Sequence, residues 1–299
     1  MLNQPLVSVI INCFNGEKYL NEAIESVLNQ TYSNWEIIFW DNRSTDGSSI
    51  IINSYNDERI RYYLAPNHTT LYKARNLAIK YARGDFISFI DVDDIWLPEK
   101  LELQIPLFAD NQVSLVYSNF FIKNEIKHSI SIAYKKTLPS GDAVLTSFLD
   151  KYVVGILTLI IRKSDICCVD EVFNPNYQII GDFDFVIRMA SKHRVARVQL
   201  PLATYRVHSH NMTSNQWSRL VLERESWVKE YSDNTIIGND VNFKNITLQN
   251  IYLKALGLIV KGKRSLALKL CLDMKISKPK LKLIFFLLIP KYFIFRIRS

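Results

Sequence analysis

The chain predicts an α/β protein: a single doubly wound, mostly parallel sheet with helices on both faces, followed by a helical C-terminal extension. Three observations lead there. Short β-branched apolar runs alternate with segments whose apolar residues recur at helical spacing. Polar residues gather where those runs end, at Asn12 to Asn15, Asp41-Asn42 and Asp91 to Asp94, the side of such a sheet where ligands bind. From about Thr213 the alternation gives way to helical periodicity alone.

In chain order, residues 6–14 (LVSVIINCF) read as a buried strand. Glu17 to Gln30 follows as a helix, apolar at positions 19, 20, 23, 24, 27 and 28. Trp35 to Trp40 is a strand ending in Asp41, Ser44 to Tyr55 a weaker helix, and Ile60 to Ala65 a third strand. Leu71 to Arg83 is a helix stopped by Gly84, and Asp85 to Ile90 the strand after it. The second half is less regular, with strands near 113–122, 157–162 and 195–200 and a helix from about Asp182 to Lys192. Helices over Trp217 to Tyr231 and Ile246 to Lys275 complete the pattern, with no internal repeat.

With 299 residues and 48% hydrophobic content the chain can bury a large core. Its formal charge of +8 is unevenly spread: residues 261–299 hold eleven Lys and Arg against Asp273, a local balance of +10, so residues 1–260 carry −2. That distribution argues against a nucleic-acid groove in the main body, where phosphates would need cations along the binding face. Cys13, Cys167, Cys168 and Cys271 lack C-x-x-C spacing, and an adjacent pair makes a poor disulfide, so a reduced compartment is expected. No Lys or Arg precedes Lys18, and Leu6 to Ile11 is too short for a signal-peptide core, so no secretion is expected.

The run Phe89-Ile90-Asp91-Val92-Asp93-Asp94-Ile95-Trp96-Leu97-Pro98 ends an apolar strand in three carboxylates within four residues. Such carboxylates repel one another, and a hard divalent ion shared with substrate phosphates offsets that repulsion. Alternatively, the acids decorate the positive end of a helix opening at Pro98. No G-x-G-x-x-G follows the first strand and no G-x-x-x-x-G-K-[ST] occurs, which leaves metal-held phosphate as the remaining way to bind a nucleotide.

The segments VSVIINCFNGEKYLNEAIESVLNQTYSNWEIIFWDNRSTDGS, ARNLAIKYARGDFISFIDVDDIWLPEKL, GDFDFVIRMA and YRVHSHNMT resemble the family 2 glycosyltransferases of GT-A fold over roughly residues 5–215. The resemblance implies an inverting enzyme that moves a hexosyl or N-acetylhexosaminyl group from a UDP-sugar to an acceptor hydroxyl, with Mn2+ or Mg2+ as cofactor. It implies a catalytic domain over 1–215, with nucleotide-sugar binding in 1–100 and the acceptor side in 101–215, and an extension over 216–299. By the same resemblance Asn12, Cys13, Phe14, Asn15 and Asp41 hold uracil and ribose, and Arg75 approaches the diphosphate. Asp91-Val92-Asp93 is then the D-x-D motif, with Asp93 the direct metal ligand, Asp91 beside it, and His208 completing the site. Each assignment has a bland alternative: a helix cap for Asp41, a surface ion pair for Arg75, an ordinary polar residue for His208 or His210, and core packing for Trp96 and Tyr205.

The acceptor hydroxyl needs a general base, and Asp182 is the candidate. Family members commonly carry Glu-Asp there, whereas this chain has Gly181-Asp182. Asp184 is the rival base, and capping of the helix from Phe183 the structural alternative.

Residues 278–298 (KPKLKLIFFLLIPKYFIFRIR) are apolar, basic and interrupted by Pro290. Neither apolar block reaches the roughly 20 residues that a membrane span needs. Bulky apolar residues interleaved with Lys and Arg suit an interfacial anchor on an anionic leaflet, so the expectation is a cytoplasmic enzyme held at the inner face of the membrane. A packed helix or a homodimer contact is the alternative. An enzyme at that surface fits a lipid-linked or polysaccharide glycan acceptor in cell-surface polysaccharide synthesis. Two other readings compete: a sugar nucleotidyltransferase, which lacks a Gly-rich basic loop here, and a non-catalytic membrane-associated scaffold with a nucleotide-binding fold.

Overall fold

The computed structural model describes residues 4–167, 171–209, 211, 216–274 and 278–288; Cys168, His210 and the tail beyond Leu288 lie outside them. The alternation over the first ninety residues becomes β1 (Val7–Cys13), α1 (Glu17–Leu28), β2 (Trp35–Asp41), α2 (Ser48–Ser54), β3 (Ile60–Leu64), α3 (Leu71–Ile79) and β4 (Phe86–Asp91). β1 lies between β2 and β4, parallel to both, and β3 extends the parallel set beyond β2. Side chains alternate across the sheet. Val7, Val9, Ile11 and Cys13 share a core with Leu20, Ala23, Ile24 and Val27 of α1, whereas α3 packs on β1 and β2.

The second half contains β5 (Ile95–Trp96), α4 (Lys100–Gln104), β6 (Val113–Asn124), β7 (Ser129–Ile132), α5 (Val144–Asp150), β8 (Ile160–Arg162), α6 (Gly181–Ala190) and β9 (Arg194–Val207). One sheet runs β3-β2-β1-β4-β8-β6-β9-β5, with β7 on β6. The expected parallel sheet is therefore joined by antiparallel partners: β8 is antiparallel to β4 and β6, and β5 to β9. β9 outruns the expected 195–200 and passes through Pro201, which sits opposite Asn119 where the β6 register shifts. A proline is tolerated at such an irregularity because no ladder N–H is demanded of it. The continuation matters, because it carries Arg206 and His208 back to the end of β4.

The chain forms two compact units: Met1–Phe148 with Tyr152–Ser209, and Leu149–Lys151 with His210–Ser299. The second contains α7 (Trp217–Tyr231), α8 (Phe243–Val260), α9 (Arg264–Asp273) and α10 (Lys278–Leu288). The helix expected over 246–275 is broken at Gly262, whose φ of +79° ends α8 while the Lys263 N–H bonds the Leu258 carbonyl at 2.8 Å. Ala255, Leu256 and Ile259 of α8 form a core with Ala267 and Cys271 of α9 and Leu283 and Phe286 of α10.

Candidate active site

Register places the polar strand ends side by side: Asn12 lies opposite Asp91 across β1 and β4, and Cys13 opposite Asp41 across β1 and β2. The loop after β1 is anchored by small contacts. Asn15 takes a φ of +54°, and its Oδ1 accepts the Thr45 N–H at 2.8 Å. Gly16 is required by space: a Cβ there would lie 2.8 Å from Val92 Cγ2, so the acidic turn after β4 packs directly on this loop. Phe14 is half exposed with its ring 4.3 Å from that of His68, an arrangement open to stacking. The Asn12 amide is buried, yet neither its Oδ1 nor its Nδ2 has a hydrogen-bond partner among the described residues, a costly state that a bound polar group would relieve.

Asp41 is buried; its Oδ1 accepts the Ser44 N–H at 2.7 Å and its Oδ2 the Tyr62 hydroxyl at 2.9 Å. Both oxygens hold the chain's own loop, and only their remaining lone pairs are open to a ligand. Asn42, its neighbour, clamps the same region: Nδ2 donates to the Thr69 carbonyl at 2.8 Å, and Oδ1 accepts the Thr69 N–H at 3.1 Å.

The acids after β4 divide into distinct roles. Arg75 of α3 is 2% exposed and reaches Asp91 Oδ1 at 2.5 Å. Asp93 Oδ2 lies 2.9 Å from His208 Nε2. Burial, then repulsion from Asp91, pushes the Asp93 carboxyl above its usual range, against the pull of His208. Asp94 is turned inward: it is buried, its Oδ1 accepts the Arg206 N–H at 3.1 Å, and its carboxyl is pushed well up, first by burial and then by Asp93 and Asp91. The acidic triplet is thus a pair facing outward and one structural member. Crowded carboxylate oxygens with one imidazole are a donor set that suits Mn2+ or Mg2+, although among the described residues no three His, Cys, Asp or Glu side chains converge on one point.

Arg206, which sequence reasoning passed over for its neighbour His208, ties this region together. Its guanidinium donates to Glu125, Glu22 and the Asp93 carbonyl, each at 2.9 Å, and lies over the Tyr19 ring. Its place two residues before His208 in the same short motif was the available clue. Trp96 is core, its indole N–H donating to the Leu157 carbonyl at 2.8 Å.

Across the site α6 begins at Gly181, its N-cap residue Ile180 makes no side-chain cap hydrogen bond, and Asp182 sits in the first turn. Its Oδ1 accepts the Tyr72 hydroxyl at 3.0 Å. Burial pushes this carboxyl up, against the pull of Arg75 and hydrogen bonds from the Phe183 amide and Tyr72. Asp184 is buried and paired with Arg188 at 2.9 Å, which removes it as the rival base. Tyr205 stands among the acids: burial first, then the charges of Asp94, Asp93, Asp91 and Asp182, pushes its phenol up. These carboxylates therefore share one electrostatic neighbourhood.

Comparison with known proteins identifies the family. The model for "Glycosyl transferase family 2" matches residues 8–165. The chain is 30% identical over 224 residues to the UDP-Glc:alpha-D-GlcNAc-diphosphoundecaprenol beta-1,3-glucosyltransferase WfgD of Escherichia coli, covering 73% of this chain and 84% of that one. It is 28% identical over 219 residues to the putative teichuronic acid biosynthesis glycosyltransferase TuaG of Bacillus subtilis, covering 72% and 84%. Among solved structures, S. aureus TarS 1-349 in complex with UDP superposes with a TM-score of 0.61 at 19% identity, covering 90% of this chain and 75% of that one. The mannosyltransferase PcManGT of Pyrobaculum calidifontis, in complex with GDP-Man and Mn2+, gives 0.65 at 15% identity, covering 95% and 79%. The fold is GT-A, and a family match spanning the strands whose ends carry these acids makes the chain a member of glycosyl transferase family 2.

Proposed function

We propose that the chain transfers a hexosyl or N-acetylhexosaminyl group, with inversion, from a UDP-sugar to a hydroxyl of a lipid-linked glycan in bacterial surface-polysaccharide synthesis. What supports this reading is that the pairs Arg75–Asp91 and His208–Asp93 form at the end of β4 in a family 2 chain, and that the charges of Asp91, Asp93 and Asp182 all act on the Tyr205 phenol. The relatives' names supply the substrate class: WfgD acts with UDP-Glc on a diphosphoundecaprenol-linked GlcNAc, and TarS has been solved with UDP-GlcNAc.

Residues 1–100 serve the donor and 101–215 the acceptor. The loop Asn12 to Asn15 and Asp41 receive the nucleoside, the orphaned Asn12 amide supplying both a donor and an acceptor. Asp93 and His208, with Asp91 beside them, would hold Mn2+ or Mg2+, which when bound stabilises the negative charge of the departing diphosphate. Arg75 fixes Asp91 and adds a buried positive charge behind it. Asp182 takes the proton of the acceptor hydroxyl as that oxygen bonds to the anomeric carbon and the bond to UDP breaks on the opposite face. A carboxyl raised by burial is better matched to that task than an exposed one. UDP release from a panel of UDP-sugars with Mn2+ and candidate acceptors should fall by about a hundredfold or more in Asp93→Ala and Asp182→Asn. Equal rates in all three proteins would refute the assignment.

The C-terminal unit supports contact with an anionic membrane. Leu283 and Phe286 of α10 are buried in its core. Leu281, Ile284, Phe285 and Leu288, spaced i, i+3, i+4 and i+7, remain 39–78% exposed on another face. The surrounding sequence is strongly basic, a combination suited to an anionic leaflet. No helix among the described residues is long and apolar enough to cross a membrane. Removing the whole tail would also remove core residues, so Ile284→Glu with Phe285→Glu is the cleaner test. Pelleting with anionic vesicles should drop at least severalfold in this pair. Undiminished pelleting, or loss of self-association with lipid binding unchanged, would overturn the anchor.

A further inference from the structure

The helix that carries Asp182 opens on a glycine, and Tyr72 supplies the reason. A Cβ at Gly181 would lie 2.6–2.7 Å from three ring carbons of Tyr72, so no side chain fits there while the ring stays. The residue is not demanded by its backbone, since Gly181 is not among the positive-φ positions. In the pattern this chain resembles, a glutamate precedes the aspartate; here a tyrosine ring, arriving from α3, fills that place.

Packing against Phe173, whose ring is 5.5 Å away, asks only for an aromatic ring. The hydroxyl asks for more. It is directed at two acceptors, Asp182 Oδ1 at 3.0 Å and the Ile179 carbonyl at 3.1 Å. A phenol has one proton to donate, so the two acceptors compete. While Asp182 is ionised, the charge-assisted bond to its carboxylate is the stronger. Once Asp182 is protonated it is the weaker acceptor, and the Tyr72 proton can turn to Ile179 without leaving a buried hydroxyl unpaired.

We propose that Tyr72 is the positioning residue for Asp182: it holds the carboxylate before proton transfer, releases it to Ile179 afterwards, and replaces the acidic side chain that Gly181 lacks. The inference rests on Asp182 as the base. The other titratable groups around this carboxyl are Arg75 of α3, Asp91 at the end of β4, Tyr152 and Tyr205. None of these has a hydrogen bond to Asp182 in the structure, whereas Tyr72 does.

The test is Tyr72→Phe, which keeps the ring and its fit on Gly181 but removes the O–H. The expected result is a kcat about tenfold lower with the donor KM within about twofold, since the lost interaction belongs to the reacting groups. The acid limb of the kcat/KM profile should move up by about one pH unit, because ionised Asp182 loses a hydrogen bond that favoured it. A purely structural tyrosine would lower thermal stability and leave that limb in place, which would overturn the proposal. Asp182→Asn measured alongside separates the two layers. Wild-type turnover in Asp182→Asn removes the base assignment itself, and Tyr72's role with it. An inactive Asp182→Asn beside an unshifted Tyr72→Phe profile removes only the part given to Tyr72. A thermal-melt comparison tests the interlock independently: Gly181→Ala should be destabilised, and Tyr72→Ala with Gly181→Ala should recover part of that loss relative to the sum of the single changes. Strict additivity would overturn it.

Discussion

Arg206 of β9 holds the acidic turn through its Nε–H to the Asp93 carbonyl and its backbone N–H to Asp94, while its other two side-chain hydrogen bonds go to Glu125 and Glu22. Replacing it with Met removes the guanidinium from Glu22 and Glu125 and leaves the Asp93 carbonyl without that donor. A loss of about 2–4 kcal/mol in urea unfolding is expected, with activity reduced as the turn loosens. Arg206→Lys should recover little of it, because an ammonium cannot reproduce a fork that serves three acceptors. A change under about 0.5 kcal/mol in either variant would show that the network is incidental. Residues of this kind were the least legible in the sequence. Asp91 and Asp93 stand in one short acidic run that spacing makes visible, whereas Arg75 was reached only through the family resemblance. Arg206 meets Glu22 across 184 positions and Tyr72 meets Asp182 across 110, separations that no local periodicity encodes.

Regular elements with a buried face were readable because burial imprints a period on the sequence. β1, α1, β2 and β4 are of this kind, each with apolar positions in the spacing its geometry requires. β7 is exposed throughout and carries no such imprint, β5 is two residues long, and the break at Gly262 lies inside an otherwise unbroken apolar pattern. α4 holds an unusual group: Lys100 is fully buried, its ammonium position 3.2 Å from Ser88 Oγ and 4.0 Å from the centre of the Trp96 ring. Burial pushes its pKa well down. Between that depressed value and the ordinary one the unfolded chain binds one more proton than the folded chain. Stability should therefore rise with pH through this window by up to about 1.4 kcal/mol per pH unit, a contribution absent in Lys100→Met. Urea midpoints for both proteins at about pH 7 and pH 9 measure it, and parallel profiles would place the amine in contact with water rather than in the core.

Across the whole molecule, charge and chemistry are separated along the chain. Residues 1–260 carry a net −2 and hold the strand ends proposed to receive the nucleotide, whereas residues 261–299 carry +10 and an exposed apolar stripe. That division suits an enzyme whose donor is soluble and whose acceptor is anchored in lipid. The anchor's electrostatic share should be screened: raising salt from about 0.05 M to 0.5 M should weaken pelleting with anionic vesicles while the apolar contribution of Ile284 and Phe285 persists. Salt-independent binding would assign the contact to the apolar stripe alone. Inversion by Asp182 leaves its mark on the anomeric configuration of the product. Incubating the protein with UDP-α-glucose, Mn2+ and a lipid-diphosphate-linked N-acetylglucosamine, then reading the new linkage by proton NMR, should give a β-glycoside that is lost in Asp182→Asn. An α-glycoside, or a β-glycoside formed at the same rate by Asp182→Asn, would contradict it.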